Sequence, residues 1–270
     1  MTTTYLLAGG DRRQFWLSRL LVPRGRVFTL GVPGLDNNLP DRPADVLILP
    51  TPCLNKKGRF HGAGEGLDPA ELLGYYDLHT RVYGGALPAD LSERLPGCGP
   101  VWDLLSDATL AAVNGRLTAE AAAALAAERL EGSLFGLDCT VLGYGRIGKP
   151  LADLLGGCHA RVTVAARREA VRAEAAQRGF AVCGFETVPA ACDVIFNTVP
   201  APALDPATLA TLGPDCLWVE LASVPGGLPA GYAPAFCVLN GNSLPGRRLP
   251  RSAAAALLEG IARKEITYEN

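Results

Sequence analysis

Three glycines spaced as G-x-G-x-x-G, at Gly143, Gly145 and Gly148, form the stretch of this sequence with the clearest chemistry. An apolar run from Cys139 to Leu142 precedes them, and a helix-compatible run from Ile147 to Leu155 follows. This order predicts a strand, a tight turn and a helix start. The first glycine makes the turn, the second lets a pyrophosphate approach the backbone, and the third lets the helix pack on the strand. The loop therefore predicts a dinucleotide site, with the phosphates held by N–H groups of the helix start. The alternative is a glycine-rich turn that binds nothing.

Two arginines, Arg167 and Arg168, follow the second strand of the same unit. In NAD-preferring sheets an acidic residue at this place binds the ribose 2′-OH, but no carboxylate stands here. Guanidinium groups form planar forks that suit a phosphate, so the pair predicts NADP(H) rather than NAD(H). As an alternative, the pair forms only a solvated helix start, where it would oppose the helix dipole.

Two later strands end in segments that should reach the same ligand, because open α/β sheets bind ligands outside the carboxyl ends of their strands. The fourth strand runs into Asn197–Pro200 and the fifth into Leu221–Ser223. Alternatively, Asn197 and Thr198 only cap the next helix, and the later segment is only a turn. The residues predicted to contact the cofactor are Gly143, Tyr144, Gly145, Arg146, Ile147, Gly148, Arg167, Arg168, Asn197, Thr198, Val199, Pro200, Leu221, Ala222 and Ser223.

Strands alternate with helices along the 270 residues, which predicts an α/β fold of two doubly wound domains. An earlier strand, Tyr5–Ala8, runs into Gly9-Gly10-Asp11, where Asp11 is suited to cap a helix. A short helix is predicted over Asp107–Val113 and an alanine-rich one over Thr118–Glu131, while Cys53–Leu67 is predicted to be a mobile loop. The predicted divisions are an N-terminal domain (1–115), a connecting helix (116–132), a Rossmann domain (133–249) and a C-terminal helix (250–270) that packs back on the first domain.

Composition excludes several classes of function. A net charge of −2 gives no reason to expect nucleic acid or a membrane surface as a partner. The eight cysteines contain no C-x-x-C pair and no Cys/His spacing for zinc, so we expect reduced thiols, a cytoplasmic protein and no metal. No basic segment followed by an apolar stretch begins the chain, and no apolar run approaches the roughly 20 residues that span a bilayer.

Several segments together resemble one family over nearly the full length. In order they are Gly9–Gln14, Thr118–Glu120, Leu142–Gly148, Ala166-Arg167, Asn197–Pro200, Leu221–Gly227 and Leu244–Gly246. The chain resembles the family of dipicolinate synthase A subunits. The resemblance implies a flavodoxin-like N-terminal domain, an NADP-binding Rossmann domain and a flavoprotein-like partner, the B subunit of the same enzyme. It also implies conversion of dihydrodipicolinate to dipicolinate, pyridine-2,6-dicarboxylate, during sporulation.

The sequence departs from the family pattern near the expected substrate cleft. It has Leu117–Ala121 where the family usually reads Pro-Thr-x-Glu-Gly, and Val224 where the family has an Arg between Ser and Pro. It has Gly241–Ser243 where the family reads Ala-Pro-Gly before the Leu. Another small carboxylic acid therefore stays open as the substrate.

Oxidation of a dihydropyridine dicarboxylate requires a hydride acceptor over the ring, cations for two carboxylates, and a base. Arg13 and Arg247 are the predicted carboxylate clamps, with Asp11 as a weaker substrate-binding candidate beside them. Glu120 is the predicted base and Thr118 its catalytic neighbour, both at the start of the connecting helix. Alternatively, Thr118 is the N-cap and Glu120 only complements the helix dipole.

The sequence also leaves three alternatives to a dipicolinate synthase function. Hydroxy-acid dehydrogenases of similar build use a histidine from late in the chain, whereas His61, His79 and His159 all precede the second strand of the Rossmann domain. Shikimate dehydrogenase-like enzymes use an N-terminal lysine, for which Lys56 or Lys57 could serve. A non-catalytic NADPH-binding subunit of a flavoprotein complex is the third alternative. The sequence leaves open whether the chain forms a homo-oligomer.

Overall fold

The computed structural model describes residues 2–62 and 64–269. The chain divides into two compact units. The first unit comprises Met1–Asn114 and Pro245–Asn270, and the second comprises Gly115–Leu244. Within the described part, no helix is long and apolar enough to cross a membrane.

The helices and strands alternate as the sequence predicts. In chain order the strands are β1 (Thr3–Ala8), β2 (Gly25–Leu30), β3 (Val46–Ile48), β4 (Arg81–Gly84), β5 (Val101–Asp103), β6 (Asp138–Leu142), β7 (Arg161–Ala165), β8 (Ala181–Cys183), β9 (Val194–Asn197), β10 (Leu217–Glu220) and β11 (Cys237–Asn240). The helices are α1 (Arg12–Leu21), α2 (Leu91–Arg94), α3 (Ala108–Leu130), α4 (Gly148–Gly157), α5 (Glu169–Gln177), α6 (Pro206–Ala210), α7 (Leu244–Arg248) and α8 (Pro250–Glu269).

The first unit is built on a parallel sheet with the strand order β2-β1-β3-β4-β5. This is the flavodoxin-like order, so the predicted fold of this unit is confirmed. Both faces of the sheet are covered, so nearly all residues of the inner strands β1, β3 and β4 are buried. One face packs with Leu17 of α1 and Leu257 of α8, and the other packs with Phe60 and Leu72.

The second unit is built on a six-stranded parallel sheet in the order β11-β10-β9-β6-β7-β8. Counted from its own first strand, the order is 3-2-1-4-5-6, which is that of dinucleotide-binding Rossmann folds. The predicted Rossmann fold is thus confirmed. The strand order reverses between β6 and β9, and ligands of such sheets bind outside the carboxyl ends of the strands at this point.

One helix, α3, replaces the two helices predicted around it. It runs without interruption for 23 residues, from Ala108 to Leu130, and Asp107 caps it by accepting hydrogen bonds from the backbone N–H of Thr109 and Leu110 at 2.8 and 3.2 Å. The predicted break near residue 115 is wrong. Gly115 is buried against the backbone of Arg146 within the second unit, and close packing there offsets its poor helix propensity.

The segment Cys53–Leu67, predicted to be a mobile loop, has local structure. Phe60 pairs with Leu54 and Leu67 through isolated antiparallel bridges, and its side chain is fully buried. Asn55 Oδ1 accepts from the backbone N–H of Lys57 and Arg59 at 2.9 and 3.2 Å. The polar composition suggested a solvated loop, but Cys53, Phe60 and Leu67 are buried in the core of the first unit and hold the segment in place.

Candidate functional site

In the glycine loop between β6 and α4, two of the three glycines have no room for a Cβ. Gly143 has a φ of +88°, in the left-handed region, and a Cβ there would lie 2.6 Å from Thr198 Oγ1. A Cβ on Gly148 would collide with the carbonyl oxygen of Gly143. The first and third glycines therefore serve the turn and the packing of the helix on the strand.

The middle glycine is different. A Cβ on Gly145 would have no atom within 4 Å, so nothing in its unit requires a glycine at this position. The following helix, α4, begins after Ile147 without a side-chain cap. Within its first turn, Lys149 already donates its N–H to the carbonyl of Gly145 at 3.0 Å, and Pro150 has no N–H. The N–H groups without an acceptor in the described part of the chain are those of Arg146, Ile147 and Gly148, and Gly145 leaves the backbone beside them open to an external anion.

Two side chains predicted to contact the cofactor hold the loop in place. Thr198 donates its backbone N–H and its hydroxyl to the carbonyl of Leu142, at 3.0 and 2.7 Å. The Tyr144 ring is buried edge-on against Phe180, at 6.4 Å between centroids, and burial raises the pKa of its hydroxyl. Contact between the cofactor and these two residues stays a prediction, because each side chain is already used to fix the loop.

The arginine pair lies in a turn between β7 and α5. Arg167 and Arg168 are exposed, and neither guanidinium has a partner among the residues that the structure describes. A third arginine, Arg172, was not predicted. It donates from Nη1 to the carbonyls of Ala166 and Arg167, at 2.7 and 2.9 Å.

A cavity of about 540 Å³ joins the glycine loop to the arginine turn. Its lining includes Gly145, Arg167, Arg168, Val171, Phe185 and Pro202. A smaller cavity of about 290 Å³ continues along Arg146, Ile147, Thr198 and Pro200. Cationic groups lie at one end of the larger cavity, and Val171, Phe185 and Pro202 give it apolar walls.

A carboxylate that the sequence did not single out organises the neighbouring strand ends. Glu220 accepts hydrogen bonds from Asn197 Nδ2 (2.7 Å), Trp218 Nε1 (3.2 Å), and the backbone N–H of Ala222 (3.0 Å) and Gly227 (2.9 Å). Asn197 is fully buried and also donates to the carbonyl of Val199 at 3.0 Å. The side chain of Asn197 thus fixes the ends of β9 and β10, and its predicted contact with the cofactor stays a prediction.

The polar cluster of the first unit lies where β1 ends. Asp11 caps α1, as predicted, by accepting from the backbone N–H of Arg13 at 2.8 Å. Its carboxylate also accepts from Arg13 Nε and Nη2, at 2.9 and 2.7 Å, and Arg13 Nη2 donates to the carbonyl of Thr51. A Cβ on Gly246, of the Leu244–Gly246 motif, would lie 2.7 Å from Asp11 Oδ2. The structure therefore brings Asp11, Arg13 and the backbone before Arg247 together.

The predicted base and its neighbour do not lie at a helix start. Thr118 and Glu120 are in the middle of α3, so the N-cap and helix-dipole interpretations are both wrong. Thr118 is buried, whereas Glu120 is exposed. Of the predicted lysines, Lys57 forms an ion pair with Glu65 at 2.6 Å. Among the described residues, no three His, Cys, Asp or Glu side chains are grouped to hold a metal.

Comparisons with known proteins match nearly the whole chain and, separately, a central segment of it. Residues 110–213 match the family model of the D-isomer specific 2-hydroxyacid dehydrogenase NAD binding domain. The dipicolinate synthase A subunit of Bacillus subtilis (strain 168) is 25% identical over 276 residues, covering 94% of this chain and 93% of that protein. The chain resembles the dipicolinate synthase A subunit. The resemblance predicted from the sequence is confirmed.

Solved structures show the same fold. The dipicolinate synthase A subunit from Bacillus halodurans has a TM-score of 0.82 at 24% identity, covering 97% of each chain. Its counterpart from Bacillus subtilis has a TM-score of 0.79 at 24% identity, covering 100% of this chain and 98% of that one. A transhydrogenase from Sinorhizobium meliloti has a TM-score of 0.69 at 15% identity, covering 98% and 94%. The NAD-binding match supports an oxidoreductase that uses a nicotinamide cofactor.

Proposed function

We propose that this chain is the NADP-dependent subunit of a dipicolinate synthase, acting in the cytoplasm of sporulating cells with a flavoprotein-like B subunit. The reaction converts dihydrodipicolinate to dipicolinate. The observation that carries the proposal is the open, uncapped glycine loop beside an unpaired arginine turn, in a chain that resembles the A subunit over 94% of its length.

The residues at the glycine loop fit NADP. The open backbone at Gly145 and the start of α4 would accept the pyrophosphate, and Arg167 and Arg168 would bind the ribose 2′-phosphate. Bound NADP⁺ would take a hydride from the substrate ring, and the second hydrogen would leave as a proton to a base. Aromatisation favours the products, so the main task of the protein is to position the reactants.

The substrate side depends on Arg13, Arg247 and a base. Arg13 uses Nε and Nη2 for Asp11 and Thr51, so Nη1 is the edge left to bind a carboxylate. Arg247 follows directly on Gly246, which packs on the Asp11–Arg13 pair, and it is exposed. Glu120 is an exposed carboxylate with no partner in the described part of the chain, which suits a proton acceptor.

The test measures turnover of dihydrodipicolinate by the purified chain, first without and then with its B subunit. Turnover is monitored through the absorbance of the NADPH and of the dipicolinate that form. We expect turnover with NADP⁺ that exceeds turnover with NAD⁺. Glu120→Gln should lower kcat with little change in cofactor affinity, while Ala124→Gln, an exposed change on the same helix, should leave kcat unchanged. Full turnover by Glu120→Gln would exclude Glu120 as the base, and NADP binding without turnover in either setting would indicate a non-catalytic NADPH-binding subunit.

One observation favours a second candidate, a dehydrogenase of another small carboxylic acid. Val224, which stands where the related sequences carry an arginine, is 86% exposed on the turn after β10. A valine cannot bind a carboxylate, so a substrate with a single carboxylate would suit this turn better than a dicarboxylate. Faster turnover of a monocarboxylate than of dihydrodipicolinate would favour this candidate.

A further inference from the structure

The side chain of Arg172 folds back from the first turn of α5 onto the turn that precedes the helix. One atom, Nη1, donates to two successive carbonyls, those of Ala166 (2.7 Å) and Arg167 (2.9 Å). The helix dipole disfavours a guanidinium on the first turn of a helix unless other interactions compensate. Here it gains two hydrogen bonds to backbone oxygens.

These hydrogen bonds determine which way two peptide groups face. In a planar trans peptide the N–H points opposite to the carbonyl. Because the carbonyls of Ala166 and Arg167 point at Arg172, the N–H groups of Arg167 and Arg168 point away from it. Neither N–H has a hydrogen-bond acceptor in the part of the chain that the structure describes.

The turn therefore presents two unused peptide N–H groups and two unpaired guanidiniums next to the start of a nine-residue helix. Backbone N–H groups that lack an acceptor within the chain can donate to an anion, and guanidiniums match the oxygens of a phosphate monoester. The turn also lines the 540 Å³ cavity that reaches the glycine loop.

We propose that Arg172 is the positioning residue that shapes the Ala166–Arg168 turn into a phosphate-monoester site, and that this site takes the ribose 2′-phosphate of the cofactor. The inference rests on the proposed use of NADP. Arg172 itself binds the carbonyls and does not bind the phosphate. Its removal frees the two peptide groups to rotate, which disperses the donors without removing either Arg167 or Arg168.

Charged neighbours of the turn provide a matched control. Arg178, at the other end of α5, pairs with Asp153 at 2.8 Å and does not touch the turn. Lys149 pairs with Glu174 at 2.5 Å. Arg178→Met therefore removes one positive charge from the same helix and leaves the hydrogen bonds of Arg172 intact.

The experiment is calorimetric titration of the full chain with 2′-AMP, 5′-AMP and inorganic phosphate, and then with NADP and NAD. Wild type should bind 2′-AMP more tightly than 5′-AMP, and inorganic phosphate only weakly. Arg172→Met should weaken 2′-AMP and NADP by about tenfold and leave 5′-AMP and NAD within about twofold. Arg178→Met should change none of them by more than about twofold. Arg172→Lys should recover part of the loss, because its ammonium can donate to the same carbonyls.

Three outcomes would overturn the inference. Equal losses in Arg172→Met and Arg178→Met would show that only net charge matters. Equal losses for 2′-AMP and 5′-AMP would show a general structural role, and an unchanged 2′-AMP affinity in both Arg172 variants would show no role. If wild type instead binds NAD better than NADP and 5′-AMP better than 2′-AMP, the proposed NADP function itself fails. Circular dichroism of each variant confirms that it is folded, and Arg172→Lys carries the test if Arg172→Met is not.

Discussion

Each of the two units has a strand that runs into a glycine turn and then into a helix, but the two helix starts differ in what lies against them. In the first unit, Asp11 caps α1, and Gly10 donates its N–H to the carbonyl of His61 at 2.5 Å. In the second unit α4 has no side-chain cap, and the space beside Gly145 is open. The first helix start is occupied by the chain itself, and the second is left for a ligand.

This difference shows that a glycine turn before a helix does not make a phosphate site by itself. The N–H groups of a helix start require an acceptor, and the chain can supply one. The segment Cys53–Leu67 contributes to the closure in the first unit, because a Cβ on Gly9 would meet the carbonyl of His61. What distinguishes the second turn is that no other part of its unit fills it.

Gly148→Ala should have the largest effect, because its Cβ would collide with the Gly143 carbonyl. Overpacking of this kind costs about 1–3 kcal/mol, and the loop that must yield is the one proposed to bind the cofactor. We expect a lower midpoint in urea and no measurable nucleotide binding. Wild-type stability together with wild-type nucleotide affinity would contradict the close packing between Gly143 and Gly148.

Gly145→Ala should separate binding from folding. Its Cβ meets no atom within 4 Å, so the free energy of unfolding should not change. It would stand where the pyrophosphate approaches, and we expect roughly ten- to hundredfold weaker NADP binding. The matched change in the closed turn, Gly10→Ala, should lower the free energy of unfolding and leave NADP affinity unchanged. A Cβ there would lie 2.6 Å from Gln14 Cδ, and the backbone is left-handed. Equal NADP affinity in wild type and Gly145→Ala would contradict an open site.

Asp11→Ala should destabilise the first unit and leave nucleotide binding in the second unchanged. Loss of an N-cap costs about 1–2 kcal/mol, and Arg13, with a side chain 12% exposed, would lose its carboxylate partner. Chemical denaturation with parallel NADP titration measures both effects. A weaker nucleotide affinity with unchanged stability would show that the closed turn takes part in binding.

The same carboxylate makes a pH prediction. Burial alone would raise the pKa of Asp11, but the hydrogen bonds and charge of Arg13 outweigh burial, and the net pKa is lowered. A lowered pKa in the folded state stabilises the fold above the ordinary aspartate range, and this contribution is lost as the pH falls through the folded-state value. The stability difference between wild type and Asp11→Asn should therefore be constant near neutral pH and shrink in acid. A stability difference that grew in acid would contradict the lowered pKa of Asp11.

Gly115→Ala tests the close packing of α3 on the backbone of the glycine loop. Alanine favours the helix by about 1 kcal/mol, but its Cβ would meet the Arg146 carbonyl and shift the glycine loop. The helix preference offsets only part of the cost of this collision, so we expect a lower melting temperature, shifted less than in Gly148→Ala, and a several-fold weaker NADP affinity. Gly157→Ala is the control, because its Cβ meets no atom within 4 Å at the end of α4. If both variants bind NADP like wild type, α3 does not position the loop.

The sequence predicted the parts that depend on local pattern. Strand and helix alternation, the glycine loop and the cap at Asp11 are all encoded within a few neighbouring residues. The continuous α3 could not be predicted, since the packing that keeps Gly115 helical comes from Arg146, far along the chain. Glu220 was missed for the same reason, because its partner Asn197 is 23 residues away. Arg172 left a local signal, an arginine one turn into α5, but the local pattern does not show that its side chain folds back onto the turn before the helix.

The turn after β10 combines a fixed base with an exposed tip. Leu221, Ala222, Gly226 and Gly227 are buried, with two of their N–H groups bound by Glu220, while Ser223, Val224 and Pro225 are exposed. Substitutions at the tip therefore do not disturb the core. The side chains at the tip of such a turn can change during evolution, or in a directed-evolution library, with little loss of folding stability. Position 224 can therefore change its side chain while the hydrogen bonds of Glu220 at the base of the turn stay the same.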